Sequence, residues 1–513
     1  MKGKRIIGLA LSLAFILPVF AGCGGTDEPD SGDTDGGGFA VDFTELWSDG
    51  FSYDFADGET YTLEIGAETG SLNYIKFDFE TEIPLSGVMS FTETDDPSVE
   101  YEEEFYWEAG DTEFRQILDY YHTDQYEKTL ESLTFTAVDG GGALTLSSVS
   151  CGTHPIDFSG VNFYNSDPTS VEDCMQLYLT GDTVKLGVNL KWGGAINHLS
   201  SVNQGIAMYS EIGEIYVGDS VKSTLILEDD VNLINQCDPG RLVQQSYYGT
   251  LGDSLDDPQD DYVCGYYDSD GDATTEDVSW PYNPVQGGDS YANFSQLVDV
   301  QYSDTEIYIK VRPMDWAKNG EVTRNYMENT YVLLEDNVYG EYIQVRNTDI
   351  DFSGYAHNNV RDQELPAYYG ITPLGRLATY KGATPWTEAS YTYSDSLGFW
   401  SPGTSDNRFN ATENWIAWLN EDNWGVGLYV PDVKSMVCGR FEYSVDRSDI
   451  GLDPSIADRC TYAAPLGQFS LESYSSFSYT YYLKVDYLVY TRALFYTLHD
   501  AGASNDELTA LGV

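Results

Sequence analysis

The sequence predicts an all-β protein, a small sandwich followed by a larger one. Three observations point there. Turn residues recur at roughly the 8–12-residue spacing of all-β folds. The segments between them alternate and are rich in β-branched and aromatic residues, as in Thr60–Ile65, Glu306–Val311 and Tyr342–Val345. Helical signals are scarce, and no repeat of 20–50 residues is present. Hydrophobic residues make up 42% of the 513 and aromatics 14%, so there is material for cores and disorder is excluded as the reason for the acidity.

The chain opens with Lys2, Lys4 and Arg5, then an apolar run from Ile6 to Phe20 ending Phe20-Ala21-Gly22-Cys23. That run is short for an ordinary membrane span. Its ending resembles the lipobox of bacterial lipoproteins, with Phe20 where Leu is usual. The resemblance implies a signal peptide over 1–22, lipidation of Cys23 and an extracytoplasmic protein anchored through lipid alone. Gly24, directly after Cys23, is no cue for inner-membrane retention, so the outer membrane is expected where the cell has one. Residues 23–41 read as an acidic, Gly-rich flexible tether.

The formal charge is −59, and removing residues 1–22 takes away three positive charges to leave about −62. That excludes nucleic acid and anionic lipid surfaces as partners, since both need Lys and Arg. The acids are spread along the chain, which fits solubility in a salty medium; multivalent cation binding is the sharper alternative.

The segment 42–160 is expected to form the small jelly-roll-like sandwich. Within it Phe114, Ile117, Leu118 and Tyr121 fit a helix or a strand. Residues 161–513 make the larger module, in which Tyr479–Tyr490 reads as a strand and a short terminal helix follows Asn505. Six cysteines remain after Cys23. In an oxidising compartment they are expected to pair locally: Cys151 with Cys174, Cys237 with Cys264, and Cys438 with Cys460.

Four polar clusters could carry chemistry. The first follows an Asp238-Pro-Gly turn and holds Arg241, Gln245, Tyr247 and Tyr248, which offer donors, acceptors and flat surfaces to a hydroxyl-rich ligand. The same residues also suit a buried network bracing the turn. The second is a Pro/Gly-fixed loop with Asn283, Gln286 and Asp289. The third holds His357, Arg361, Asp362 and Glu364, the catalytic candidates. Asp362 and Glu364 share one face of an extended strand about 7 Å apart, near the spacing of inverting glycosidases. The fourth holds Trp415 and Trp418, three apart and so on opposite faces of a strand, one of them a sugar platform or both core.

Val184 to Ile196, with its Gly193-Gly194 turn, resembles the opening of a galactose-mutarotase-like supersandwich. With Asp238–Tyr248, Trp280–Asp289, Arg361–Pro366 and Asn414–Tyr429, it is similar to a family of secreted bacterial lipoproteins carrying such a module. The resemblance implies a large β-supersandwich and a carbohydrate ligand. Mutarotases and related hydrolases use a His and a carboxylate on the concave sheet; His357, or less well His198, could match.

The loop with Asp268, Asp270, Asp272 and Asp277 gathers carboxylates at alternate positions, as calcium loops do. Gly271 and Ser279 break the EF-hand pattern, which leaves a looser calcium site or one more acidic surface loop. Phosphate-loop, His-Glu-x-x-His and Gly-x-Ser-x-Gly motifs are absent, and five histidines are too few for a His-rich metal site. The sequence therefore points to an oligo- or polysaccharide as partner and to a glycoside-hydrolase-like enzyme, with a lyase the weaker branch. A non-catalytic glycan-binding lipoprotein and a structural surface protein are the alternatives.

Overall fold

The computed structural model describes residues 39–70, 72–118, 127–156, 176–202, 206–209, 224–227, 230–251, 262–267, 278–355, 357, 359–387, 391–394, 407–442, 454–457 and 459–513. Cys23, Cys174 and the calcium-loop residues Asp268, Asp270, Asp272 and Asp277 lie outside them.

Nine strands build the first sandwich: β1 (Thr44–Trp47), β2 (Phe51–Phe55), β3 (Thr60–Gly70), β4 (Tyr74–Thr81), β5 (Leu85–Glu93), β6 (Glu100–Trp107), β7 (Glu113–Ile117), β8 (Lys128–Ala137) and β9 (Gly142–Gly152). One sheet runs β1-β9-β4-β7 with β2 also on β9, and the other runs β3-β8-β5-β6. This interleaving of two antiparallel sheets is the jelly-roll order. The Phe114 segment settles as strand β7, because its partner β4 supplies the hydrogen bonds that a helix would make internally. The core is aromatic: Phe77, Phe105, Trp107, Phe114 and Phe135 are all buried. Four residues of the following module, Val298, Tyr326, Ile350 and Phe352, belong to the same cluster. Phe352 stacks on Tyr106 at 5.2 Å, and the Tyr106 backbone N–H donates to the Tyr326 hydroxyl. Residues 39–513 accordingly form one compact unit.

Among the described residues the second module is built on two large antiparallel sheets, with two separate two-stranded sheets, Ile206–Tyr209 with Thr224–Leu227 and Gly265–Tyr267 with Val278–Trp280. The ten-stranded sheet runs Gln176–Thr180, Val184–Asn189, Ala195–Ser201, Val243–Ser246, Arg361–Ile371, Arg459–Phe469, Ser435–Glu442, Arg408–Asn410, with two short strands beside Val243–Ser246. The nine-stranded sheet is centred on Asn325–Asp336, Gly340–Asp351 and Ser475–Tyr487. Alternation explains the burial: Ile307, Ile309 and Val311 are each at most 1% exposed and face the other sheet. The expected Gly-Gly turn is present, with φ of +58° at Gly193 and +68° at Gly194. A Cβ on Gly193 would lie 2.0 Å from the Gln286 carbonyl oxygen, so only glycine fits.

Glu341 links the two sheets. Its carboxylate accepts from the backbone N–H groups of Asp182, Thr183 and Val184 and from the Thr183 hydroxyl, at 2.7–3.2 Å. Partial burial pushes this carboxyl up, and the four donors outweigh it and hold it below the usual range. Its contribution is therefore present above the ordinary carboxylate range and lost as pH falls. Glu341→Ala is expected to cost about 0.5–1.5 kcal/mol at pH 7, because solvent can replace most of the lost bonds, shrinking towards pH 3, as read by urea unfolding.

Three expectations change. The Tyr479–Tyr490 run leaves the strand at Tyr487, and a helix covers Leu488–Asp500. From Leu488 the buried positions are Leu488, Thr491, Leu494 and Phe495, a helical spacing. The helix lies on the outer face of the nine-stranded sheet, where Gly427 lets Thr491 and Phe495 approach the backbone. The second helix, Asp506–Ala510, does follow Asn505, but that side chain makes no cap bond and instead joins Pro431 to Thr480.

The cysteine pairs are the third change. Among the described residues, Cys237 and Cys264, and Cys438 and Cys460, form no disulfide; Cys174, the expected partner of Cys151, lies outside them. Cys438 stands opposite Ala463 and Cys460 opposite Phe441, three register positions apart. Cys438 belongs to the core between the sheets and Cys460 to the cluster on the outer face, so their sulfurs point away from each other. Cys237 is turned onto Asp238 at 3.4 Å, whereas Cys264 precedes a strand packed on Ala317. Burial pushes the Cys151 thiol up to about 12.

Candidate functional site

Three of the four polar clusters meet around the Val243–Ser246 strand. Ser246 pairs with Val285 on one side and Glu364 on the other. The neighbouring strands are short and irregular, so many backbone groups there lack ladder partners, and the amides supply them. Gln245 donates to the Glu328 carbonyl and Asn329 and accepts from the Tyr247 hydroxyl. Gln286 accepts from the Gln245 N–H and donates to the Gly193 carbonyl. Asn283 joins the Trp280 indole to the Tyr247 carbonyl. Asp289 caps the N–H groups of Tyr291, Asn293 and Gly320. Arg241 pairs with Asp238 at 3.2 Å and reaches the Ala457 carbonyl. These five side chains and Tyr247 are at most 4% exposed. The structure thus gives Arg241, Gln245, Tyr247, Asn283, Gln286 and Asp289 to an internal network. Tyr248 alone of the expected ligand contacts is half-buried, beside Trp280.

His357 is also internal. Its Nε2 lies 3.3 Å from Asp351, its Nδ1 accepts the Thr250 N–H, and Tyr282 stacks on its ring. Arg361 has the parity of Gln363, whose side chain is buried and holds the Tyr248 backbone, so Arg361 points away from Asp362 and Glu364. His198 sits on the ten-stranded sheet, bound to Ser200 at 3.0 Å and Asp230 at 3.2 Å.

What remains is the outer face of the ten-stranded sheet at the Arg361–Ile371 and Arg459–Phe469 strands. Asp362 and Glu364 project there together, over a floor of Tyr369, Val437, Cys460, Tyr462, Ala464 and Leu466. The Tyr462 hydroxyl donates to Glu364 Oε1, and the Ser246 hydroxyl also bonds that carboxyl. Asp362 pairs with Arg408 and accepts from Gln468 at 2.9 Å. Burial pushes Glu364 up to about 7; Tyr462 and Ser246 pull against that, and the Asp362 charge adds to it. The two carboxyl groups, one two-residue strand repeat of about 7 Å apart, thus sit in different surroundings: Glu364 over an apolar floor with two hydroxyl partners, Asp362 paired with Arg408.

Ser246, Arg408, Tyr462 and Gln468 were not singled out in the sequence. Alternation in Arg459–Phe469 does place Tyr462, Leu466 and Gln468 on one face, but only the strand pairing brings them to Glu364. The fourth cluster is core: Trp418 lies between the sheets, Trp415 lies under the C-terminal helix, and both are fully buried. Among the described residues no group of three or more His, Cys, Asp or Glu could hold a metal ion.

No family profile and none of the curated proteins matches this chain. Among solved structures it is similar to a 4-alpha-glucanotransferase from Thermococcus litoralis, with 11% identity and a TM-score of 0.26 over 61% of this chain. The match spans 38% of the glucanotransferase's length. It is also similar to the Slr1438 protein of Synechocystis sp. PCC 6803, with 12% identity and a TM-score of 0.29 over 61% of this chain and 96% of that one. A third is a putative mutarotase, YeaD, from Salmonella typhimurium, with 9% identity and a TM-score of 0.25 over 62% and 92%. The functional reading rests on the site.

Proposed function

We propose that this is an extracytoplasmic, lipid-anchored protein that cleaves glycans on the outer face of its ten-stranded sheet. The observation that carries the reading is the half-buried Glu364 carboxyl, raised to about 7 beside the Arg408-paired Asp362. A group titrating there is poised to give up a proton at neutral pH. In the proposed reaction Glu364 protonates the glycosidic oxygen as its bond to the anomeric carbon breaks. Asp362 takes a proton from the water that attacks that carbon, and the two-residue strand repeat of about 7 Å is near the spacing of inverting pairs. Tyr462 and Ser246 orient Glu364. The Phe20–Cys23 ending and the acidic tether support the anchoring.

The test is a reducing-end assay over a panel of neutral polysaccharides, taken across pH. Because the acid must be protonated, kcat/KM is expected to fall about tenfold per unit above pH 7. Binding without turnover anywhere in the panel would favour a non-catalytic glycan binder and remove the proposal.

A further inference from the structure

A cleft of about 500 Å3 opens where the small sandwich meets the large module. Glu104 comes from β6, and Tyr282, Arg312, Glu321, Arg324 and Tyr355 come from the large module. We infer that this cleft is a second carbohydrate site, holding a short segment of an uncharged glycan away from the Glu364 face. The ligand class rests on the reading above; the site does not use its residues.

The volume lies within the range of about 300–1,000 Å3 of small-ligand pockets, which favour the seams between modules. Arg312 is locked in place: its guanidinium donates to Glu104 at 3.0 Å, to Gln296 and to the Thr323 carbonyl, over the Tyr106 ring. Glu321 pairs with Lys318 at 2.8 Å. Arg324 is exposed and lines the cleft, its backbone carbonyl accepts the Phe352 N–H, and its guanidinium, a planar donor fork, lies close enough to lower the Glu104 carboxyl. Tyr355 is half-buried, held edge-on by Tyr262 at 5.1 Å and Tyr282 at 5.3 Å. Its ring gives the wall a rigid flat surface, and its hydroxyl a polar tip.

Charge selects the ligand. Two arginines and two glutamates line the cleft and cancel, and the whole chain carries −59, so an anionic polymer is repelled at long range. A neutral sugar matches both surfaces, its C–H face on Tyr355 and its hydroxyls on Arg324, Glu321 and Ser353. Since Glu104 belongs to β6, occupancy would also join the two modules.

The experiment is isothermal titration of the full-length protein with malto-, cello-, xylo- and manno-hexasaccharides. At least one should bind, and Arg324→Ala and Tyr355→Ala should each weaken it by about tenfold or more. Glu364→Gln should leave that affinity unchanged. Arg324 is exposed, whereas Tyr355 packs against the core, so unchanged melting temperatures are required of both variants; Arg324→Glu, at the exposed position, is the second variant, equally weakened. Wild-type-like binding by these variants, or no binding by the wild-type protein, overturns the cleft. Retention of turnover by Glu364→Gln overturns the catalytic reading alone.

Discussion

Glu364→Gln is expected to lower glycan turnover by about 100- to 10,000-fold while leaving binding intact. The amide keeps the shape of the carboxyl and can still accept from Tyr462, but it has no proton to give. A stability signature accompanies the loss. The carboxyl is raised from 4.5 to about 7, so the folded chain keeps its proton across that window after the unfolded chain has released it. The stabilising contribution is complete below about pH 4.5 and is lost as pH rises through 7. Glu364→Gln should therefore match the wild-type protein in urea unfolding at pH 4.5 and exceed it at pH 8. A variant that keeps turnover, or loses stability at pH 8, rules out the acid.

The second large effect is structural. Glu413 is fully buried, and both oxygens are bidentate to Arg492, at 2.6 and 2.8 Å. One oxygen also accepts the Trp386 N–H and the other the Trp415 indole. The pair pins the Leu488–Asp500 helix to the sheet. Glu413→Ala strands the arginine and two N–H donors, at an expected cost of about 3–5 kcal/mol. Replacing both partners, as Glu413→Ala with Arg492→Leu, should recover a large part of that, because the penalty is the uncompensated charge. Urea unfolding of the three chains measures it, and a loss below about 1 kcal/mol for the single variant contradicts the account.

Local periodicity made the strands legible. Thr60–Ile65 and Glu306–Val311 alternate, and the two-residue repeat alone put Asp362 beside Glu364 and separated Trp415 from Trp418. The helix at Leu488 was hidden because Tyr-Leu-Val-Tyr continues a β-like run, and only the 488, 491, 494, 495 spacing marks the change. The site's other half was not readable, since Tyr462 lies 98 residues from Glu364 and Arg408 lies 46 from Asp362. Register sets those contacts. Gln245, Asn283 and Gln286 misled for a related reason: an amide suited to a sugar hydroxyl is equally suited to a stranded backbone carbonyl. Cys438 and Cys460 are close in sequence, but the pleat turns them to opposite faces.

The aromatic cluster shared by the two modules bears on synthesis. The nine strands of the sandwich are complete at Gly152, yet Phe352, which stacks on Tyr106, is translated 200 residues later. At about 5–20 residues per second the interval is roughly 10–40 s. Until Phe352, Ile350, Tyr326 and Val298 are in place, the aromatic flank of the sandwich at Tyr106 has nothing to close on.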